Sequence, residues 1–146
     1  MKIDFSLKNE KGKNVSLNDF KGKFLALYFY PKDMTSGCTD EACNLRDNYE
    51  KLKKENIEIV GISMDDELSH NNFKEMHALP FQLLCDTTGE VSKKYGVYKK
   101  KSFFWKKASG IKRTTFIISQ EGEIKKVIKD VDVKNHADQI INAVKE

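Results

Sequence analysis

The chain has 146 residues, of which 39% are hydrophobic and 33% charged, with 26 basic against 22 acidic side chains and a formal net charge of +4. This is the composition of a soluble protein with enough chain to bury the core of one domain. No stretch approaches the length of a membrane-spanning helix, and the opening MKIDFSLKNE, which carries Asp4 and Glu10, does not read as a secretory leader; the cytoplasm is the expected location.

In chain order, FSLKNEKGKNVSL alternates around a turn at Gly12 and predicts a short hairpin. KFLALYFY, residues 23–30, is a continuous apolar run that stops at Pro31, as a buried central strand does. From Thr39 to Lys54 the spacing of Ala42, Leu45, Tyr49 and Leu52 predicts a helix, with acids early and lysines late in accord with the helix dipole. IEIVGISM, residues 57–64, predicts a second buried strand, followed by a helix over Glu67 to His77. FQLLCD reads as a short strand, VSKKYGV as a short helix stopped by Gly96, and TTFIIS with EIKKVIKD as a hairpin. The last helix, VKNHADQIINAVKE, places Val133, Ala137, Ile140, Ile141 and Val144 on one face. Strands alternating with helices and closing on a hairpin and a helix describe an α/β protein with a central mixed sheet flanked by helices, an arrangement that matches a thioredoxin-like fold extended by an N-terminal β-hairpin.

One segment stands outside this pattern. In KKYGVYKKKSFFWKK, Lys99, Lys100, Lys101, Lys106 and Lys107 are interleaved with Tyr98, Phe103, Phe104 and Trp105. Such interleaving serves nucleic-acid binding in some proteins, but the acidic residues elsewhere nearly balance the charge, and a solvated loop anchored by its aromatics is the favoured reading. No nucleic-acid partner is expected. Phe104 and Trp105 suit an apolar lid or a dimer patch, between which the sequence does not choose.

The chemistry gathers in YPKDMTSGCTDEAC, residues 30–43. Cys38 falls at the start of the helix that follows a buried strand, where unpaired backbone N–H groups and the helix dipole favour a thiolate. Lowering a thiol pKa from about 8.5 to about 6 raises the thiolate fraction at neutral pH roughly thirtyfold, and part of that gain is lost because acidic thiols are weaker nucleophiles. Efficient chemistry therefore requires donors that orient a substrate and stabilise charge on its leaving atom. Thr35, the Cys38 backbone N–H and a cation are suitable parts. Close cysteine pairs in the cytoplasm tend to be catalytic or metal-bound.

YFYPKDMTSGCTDEAC resembles the active-site segment of peroxiredoxins, in particular the peroxiredoxin Q or bacterioferritin comigratory protein group. The family's Pro-x-x-x-Thr-x-x-Cys motif is matched by Pro31, Thr35 and Cys38, and GIKRTTFIIS supplies Arg113 where the family has an arginine before a late strand. The resemblance extends over nearly the whole chain. It implies a thiol-dependent peroxidase in which Cys38 attacks hydrogen peroxide or an organic hydroperoxide and becomes a sulfenic acid. Cys43 stands where many members carry the resolving cysteine, which implies an intramolecular disulfide re-reduced by thioredoxin or a similar dithiol donor. Glu41 stands where a family carboxylate helps to hold the arginine, although a dipole-favoured surface Glu accounts for it equally well. Phe29 and Tyr30 are expected to wall the pocket. Ser36 replaces the proline usual before the Gly-Cys pair. The group also implies a monomer or weak dimer, and the chemistry calls for no metal, haem, flavin or nucleotide.

Residues five apart in a regular helix have Cα atoms roughly 8–9 Å apart, whereas a disulfide needs about 7 Å or less, so pairing Cys38 with Cys43 requires the segment from Cys38 to Leu45 to unwind. Three other readings fit less well. A disulfide reductase would carry Cys-x-x-Cys and a proline in place of the Lys112-Arg113-Thr114-Thr115 stretch. Zinc would need His70, His77, Cys85 or His136 at ligand spacings that are not present, and His70 and His77 read as surface groups. Cys85, in an apolar strand, reads as a buried small hydrophobe. A redox sensor or holdase that exposes apolar surface on unwinding remains an alternative of a different class.

Overall fold

A computed structural model describes residues 1–100 and 109–146. The stretch 101–108, which holds Lys101, Phe103, Phe104, Trp105, Lys106 and Lys107, lies outside the described residues.

The N-terminal hairpin pairs β1 (Ser6–Asn9) with β2 (Asn14–Ser16) across the predicted turn, and a 3-10 turn (Leu17–Phe20) leads to the central strand β3 (Phe24–Phe29). Helix α1 (Ser36–Asp47) and helix α2 (Tyr49–Lys54) follow, then β4 (Ile57–Ser63), α3 (Glu67–His77) and β5 (Gln82–Cys85). Beyond them lie α4 (Glu90–Lys94), a small ribbon of β6 (Tyr98–Lys100) and β7 (Ser109–Ile111), the hairpin β8 (Thr114–Ile118) and β9 (Ile124–Ile128), and α5 (His136–Lys145). Seven strands form one mixed sheet in the order β2-β1-β5-β4-β3-β8-β9. Strand β3 runs parallel to β4 and antiparallel to β8, and β4 runs parallel to β5. The right half, from β5 to β9 with α1, α3 and α5, is the thioredoxin-like arrangement; the hairpin is added at the β5 edge through an antiparallel β1–β5 pairing.

Alternation along β3 distributes its side chains between two cores. Ala26 and Tyr28, with Tyr30 just beyond the strand, join Cys38, Ala42, Leu45, Phe73, Ala137 and Ile140 on the face covered by α1, α3 and α5. Leu25, Leu27 and Phe29 join Phe5, Leu17, Val91, Tyr95 and Phe116 on the other face. Tyr28 is admitted by a glycine on the neighbouring strand: a Cβ on Gly61 would stand 2.8 Å from the Tyr28 Cζ and 2.9 Å from Leu83 Cδ2.

Two elements differ from the sequence reading. The helix expected over Thr39–Lys54 starts earlier and breaks. Ser36 occupies its first position, where a proline would also be accepted, and Thr35 is the N-cap. The break falls at Asn48, with φ −111° and ψ 13°, whose side-chain Nδ2 donates to the Asn44 carbonyl at 2.8 Å and competes with the helix ladder. The ribbon of β6 and β7 was not expected, since its pairing joins residues on either side of the lysine-rich stretch.

Candidate active site

The connection from β3 to α1 is held from beneath by Asp33. Its Oδ1 accepts the Tyr30 hydroxyl at 2.6 Å, its Oδ2 accepts the Ser69 hydroxyl at 2.8 Å and faces His70 Nδ1 at 2.7 Å, and its backbone N–H donates to Asp65 Oδ2 at 2.8 Å. His70 is fully buried, which corrects the expectation of a surface group. Both of its ring nitrogens meet acceptors, the other being the Leu84 carbonyl at 2.8 Å, so both carry hydrogen and the ring is an imidazolium. Burial opposes that charge, but the Asp33 hydrogen bond and charge outweigh it and hold the pKa above the ordinary histidine value. Asp33, Asp65 and His70 lie close enough to suggest a cation site, yet the facing atoms are committed to one another and to neighbouring donors. The loop this network fixes turns through Met34, a non-glycine residue at φ +70°, a left-handed conformation that costs on the order of 1 kcal/mol.

Cys38 is the third residue of α1 and is 1% exposed. The N–H groups of this first turn have no acceptors inside the helix and leave a favourable end for negative charge beside the sulfur. Arg113, which precedes β8, donates from Nη2 to Cys38 Sγ at 3.4 Å and from Nη1 to Glu41 Oε1 at 2.6 Å. Gly37 makes this approach feasible, because a Cβ there would lie 3.2 Å from the Arg113 Nη2. Burial works against the guanidinium charge, while Glu41 and Cys38 favour it, and the net effect raises its pKa further.

Glu41 is fully buried against Arg113, which excludes the alternative of a dipole-favoured surface residue. It follows Cys38 by three positions, so both project from one side of α1 onto Arg113. Burial pushes its carboxyl up to about 7, with Arg113 pulling in the opposite direction.

The other expected site residues make no side-chain hydrogen bond to this triad among the described residues. Thr35 Oγ1 donates to Lys32 O at 2.9 Å, and with its hydrogen so engaged the oxygen serves as an acceptor. Pro31 is exposed at the end of β3. Cys43 is half-buried in the second turn of α1, with its Sγ 3.9 Å from His77 Nδ1, and it is a free thiol, as are Cys38 and Cys85. Of the two expected pocket walls, Tyr30 packs in the core that contains Cys38, while Phe29 turns to the opposite face against Tyr95 and Phe116. Cys85 is half-buried rather than enclosed, and its thiol faces the Asn9 carbonyl at 3.8 Å. Burial, followed by Glu67 and other nearby carboxylates, pushes it up to about 12, so the group stays a thiol.

The sequence reading weighed His136 only as a zinc ligand and missed its place beside Glu41. It is fully buried at the start of α5, with Nε2 3.5 Å from Glu41 Oε2 and 2.7 Å from Thr115 Oγ1. Burial lowers its pKa to about 4, so the ring is neutral. A signal for it was present: His136 precedes Ile140 by four residues and so falls on the apolar face of α5.

Residues 2–127 match the family model described as the AhpC/TSA family. Peroxiredoxin Bcp of Bacillus subtilis (strain 168) is 43% identical over 143 residues, covering 98% of this chain and 91% of that protein. A peroxiredoxin Q structure from Xanthomonas campestris superposes with a TM-score of 0.89 at 33% identity, over 97% of this chain and 90% of the other. A bacterioferritin comigratory protein structure from the same organism, described in terms of alkyl peroxide reduction and a trapped intermediate or ligand complex, gives the same TM-score, identity and shares.

Proposed function

This chain belongs to the AhpC/TSA family and is a thiol peroxidase of the peroxiredoxin type, and on that premise we propose that Cys38 is its peroxidatic cysteine and Cys43 its resolving cysteine. The observation that carries the reading is the Arg113 fork, with one arm on the Cys38 sulfur and the other on the buried Glu41 carboxylate. A guanidinium anchored in this way keeps one face toward the thiolate and toward any oxygen that accumulates charge beside it.

In the proposed step the Cys38 thiolate attacks one oxygen of a hydroperoxide. A sulfur–oxygen bond forms and the O–O bond breaks; the sulfur is oxidised by two electrons to a sulfenic acid, and the peroxide is reduced to water or an alcohol once the leaving oxygen takes a proton. The Thr35 oxygen supports this as an acceptor for the peroxide O–H, the Cys38 backbone N–H as a donor to the peroxide, and Pro31 as the rigid end of the strand that limits solvent entry. Cys43 then attacks the sulfenic sulfur, water leaves, and the resulting disulfide is reduced by thioredoxin or a similar dithiol. Alkyl hydroperoxides belong to the substrate class by analogy with the Xanthomonas campestris protein.

The geometry of α1 supports unwinding as part of resolution. Both cysteines lie in one helix, which puts their Cα atoms roughly 8–9 Å apart against the 7 Å or less of a disulfide. The test is peroxide consumption with a thioredoxin system. Cys38→Ser abolishes it, Cys43→Ser permits one stoichiometric turnover, and Cys85→Ser leaves it nearly unchanged. Multiple turnover surviving Cys38→Ser overturns the assignment.

A further inference from the structure

Glu41 has only half of its hydrogen bonding satisfied. Oε1 accepts from Arg113, while Oε2 is buried without a hydrogen-bond partner among the described residues. An orphaned carboxylate oxygen in a buried site is costly. What faces it, at 3.5 Å, is Nε2 of His136.

The tautomer of His136 is fixed from its far side. Gln139 donates from Nε2 to Asp130 O at 2.9 Å, and its Oε1 accepts the Asp132 N–H at 2.9 Å. The same Oε1 lies 2.8 Å from His136 Nδ1. An amide oxygen only accepts, so Nδ1 carries the hydrogen. In the neutral ring Nε2 is then a lone pair, which accepts the Thr115 hydroxyl at 2.7 Å. Without a further proton, Glu41 Oε2 thus faces, at 3.5 Å, a ring nitrogen that has no hydrogen to give, and one proton on either atom relieves it.

We propose that Glu41 and His136 share one proton, and that this buried proton leaves Arg113 with an uncompensated positive charge toward Cys38, making His136 a positioning residue for the peroxidase reaction proposed above, on which the inference rests. With the proton in place, Arg113, Glu41 and His136 together carry +1; without it they sum to zero. Two sites coupled this closely take up a proton as a pair. Burial supports such sharing, since it raises Glu41 to about 7 and lowers His136 to about 4, opposing a free charge on either.

The charged and titratable groups facing the pair come from every element around it. They are Cys38 on α1, Tyr28 on β3, Arg113 before β8, and Asp132 in the connection to α5. Tyr28 is kept neutral by burial and by the negative groups near it. Asp132 is kept ionised by hydrogen bonds from Asn135 and the Lys134 N–H. Apart from the reactive thiol, the shared proton is therefore the variable charge.

The test uses the full chain carrying Cys43→Ser and Cys85→Ser, so that Cys38 is the single thiol. Its alkylation rate by iodoacetamide is followed against pH, which reads thiolate without needing peroxide. Glu41→Gln is the informative variant: its amide oxygen still accepts from Arg113, and its uncharged NH₂ faces His136 Nε2 where a protonated carboxyl would, a permanent copy of the charge of the protonated pair. The expected result is a pH profile displaced toward acid by about one unit, a rate about tenfold higher on the rising limb. In the parent, NMR of the Glu41 carboxyl carbon and the His136 ring nitrogens is expected to show one common titration step. Identical alkylation profiles in parent and Glu41→Gln overturn the proposal, as does a Glu41 carboxyl that titrates with no response at His136. Failure of this protein to consume even one equivalent of peroxide, alongside a displaced profile, would sink the peroxidase reading and leave the shared proton standing.

Discussion

Replacing Asn44 by alanine is the sharpest single probe of the proposed unwinding. Asn44 Oδ1 accepts the Ala137 N–H at 2.8 Å, and its Nδ2 donates to Lys134 O at 2.9 Å, which clasps α1 to the start of α5. The Ala137 N–H belongs to the first turn of α5 and has no acceptor within that helix, so the clasp also caps α5. Each bond contributes about 1 kcal/mol net, and losing both costs the folded α1 about 2 kcal/mol, a shift of roughly thirtyfold toward the unwound segment. Leu45, the next fully buried side chain along α1, adds about 2 kcal/mol of its own and resists unwinding beyond it. The assay adds one equivalent of peroxide to reduced protein and follows formation of the Cys38–Cys43 disulfide by quenching and mass. Asn44→Ala is expected to form it up to about thirtyfold faster wherever unwinding limits the rate. Global stability, measured in parallel by urea denaturation, falls by a similar free energy. Unwinding of α1 away from α5 is refuted as the limiting step if stability falls as expected and the disulfide forms no faster.

Two further consequences rest on the fold around the site. Gly61→Ala drives a methyl to within 3 Å of the Tyr28 ring and Leu83. Overpacking of this kind costs about 1–3 kcal/mol and lowers the thermal midpoint by roughly 5 °C; an unchanged midpoint would mean that Tyr28 does not lie against β4. His70 titrates with a folded-state pKa raised above its unfolded value, so its contribution is complete below about pH 6.5 and is lost as pH rises through the folded value. Urea midpoints are therefore expected to fall on the alkaline side of neutrality, and His70→Asn to remove most of that slope; equal slopes in the two proteins would refute the imidazolium assignment.

Much of the fold was legible because its signals are local. The apolar run that stops at Pro31, the helix over Glu67–His77 and the turn at Gly12 each depend on a few neighbouring residues, and all appear where the sequence places them. The Pro31, Thr35 and Cys38 spacing was legible for the same reason. What escaped depends on distant segments. His70 reads as a surface residue within its own helix, and only the folded chain brings Asp33 and the Leu84 carbonyl to its two nitrogens. Glu41 could be a surface acid or the arginine's anchor until α1 is laid against β8. The break at Asn48 arises from a side chain competing for one carbonyl, which apolar periodicity does not report. His136 was weighed as a metal ligand, when its position on the apolar face of α5 already argued for a buried partner.

The residues on α1 also connect the chemistry to the motion. Cys38, Glu41 and Asn44 follow one another at intervals of three, which in a helix keeps them on neighbouring faces, and each holds α1 to a different part of the molecule. Cys38 and Glu41 both meet Arg113, and Asn44 meets α5. In the proposed cycle, oxidation turns a thiolate into a neutral sulfenic acid and so removes one of the charges that Arg113 holds. The attraction weakened by oxidation is one that the first turn must release before Cys43 can reach Cys38. The second arm of Arg113 remains on Glu41, so the carboxylate is both the anchor that keeps the guanidinium in place for the peroxide and the last charged contact to part when α1 unwinds. A weaker anchor would speed resolution and misplace Arg113; a stronger one would hold Arg113 well and trap the sulfenic acid. The buried carboxyl of Glu41, poised between charged and neutral, lies between those limits.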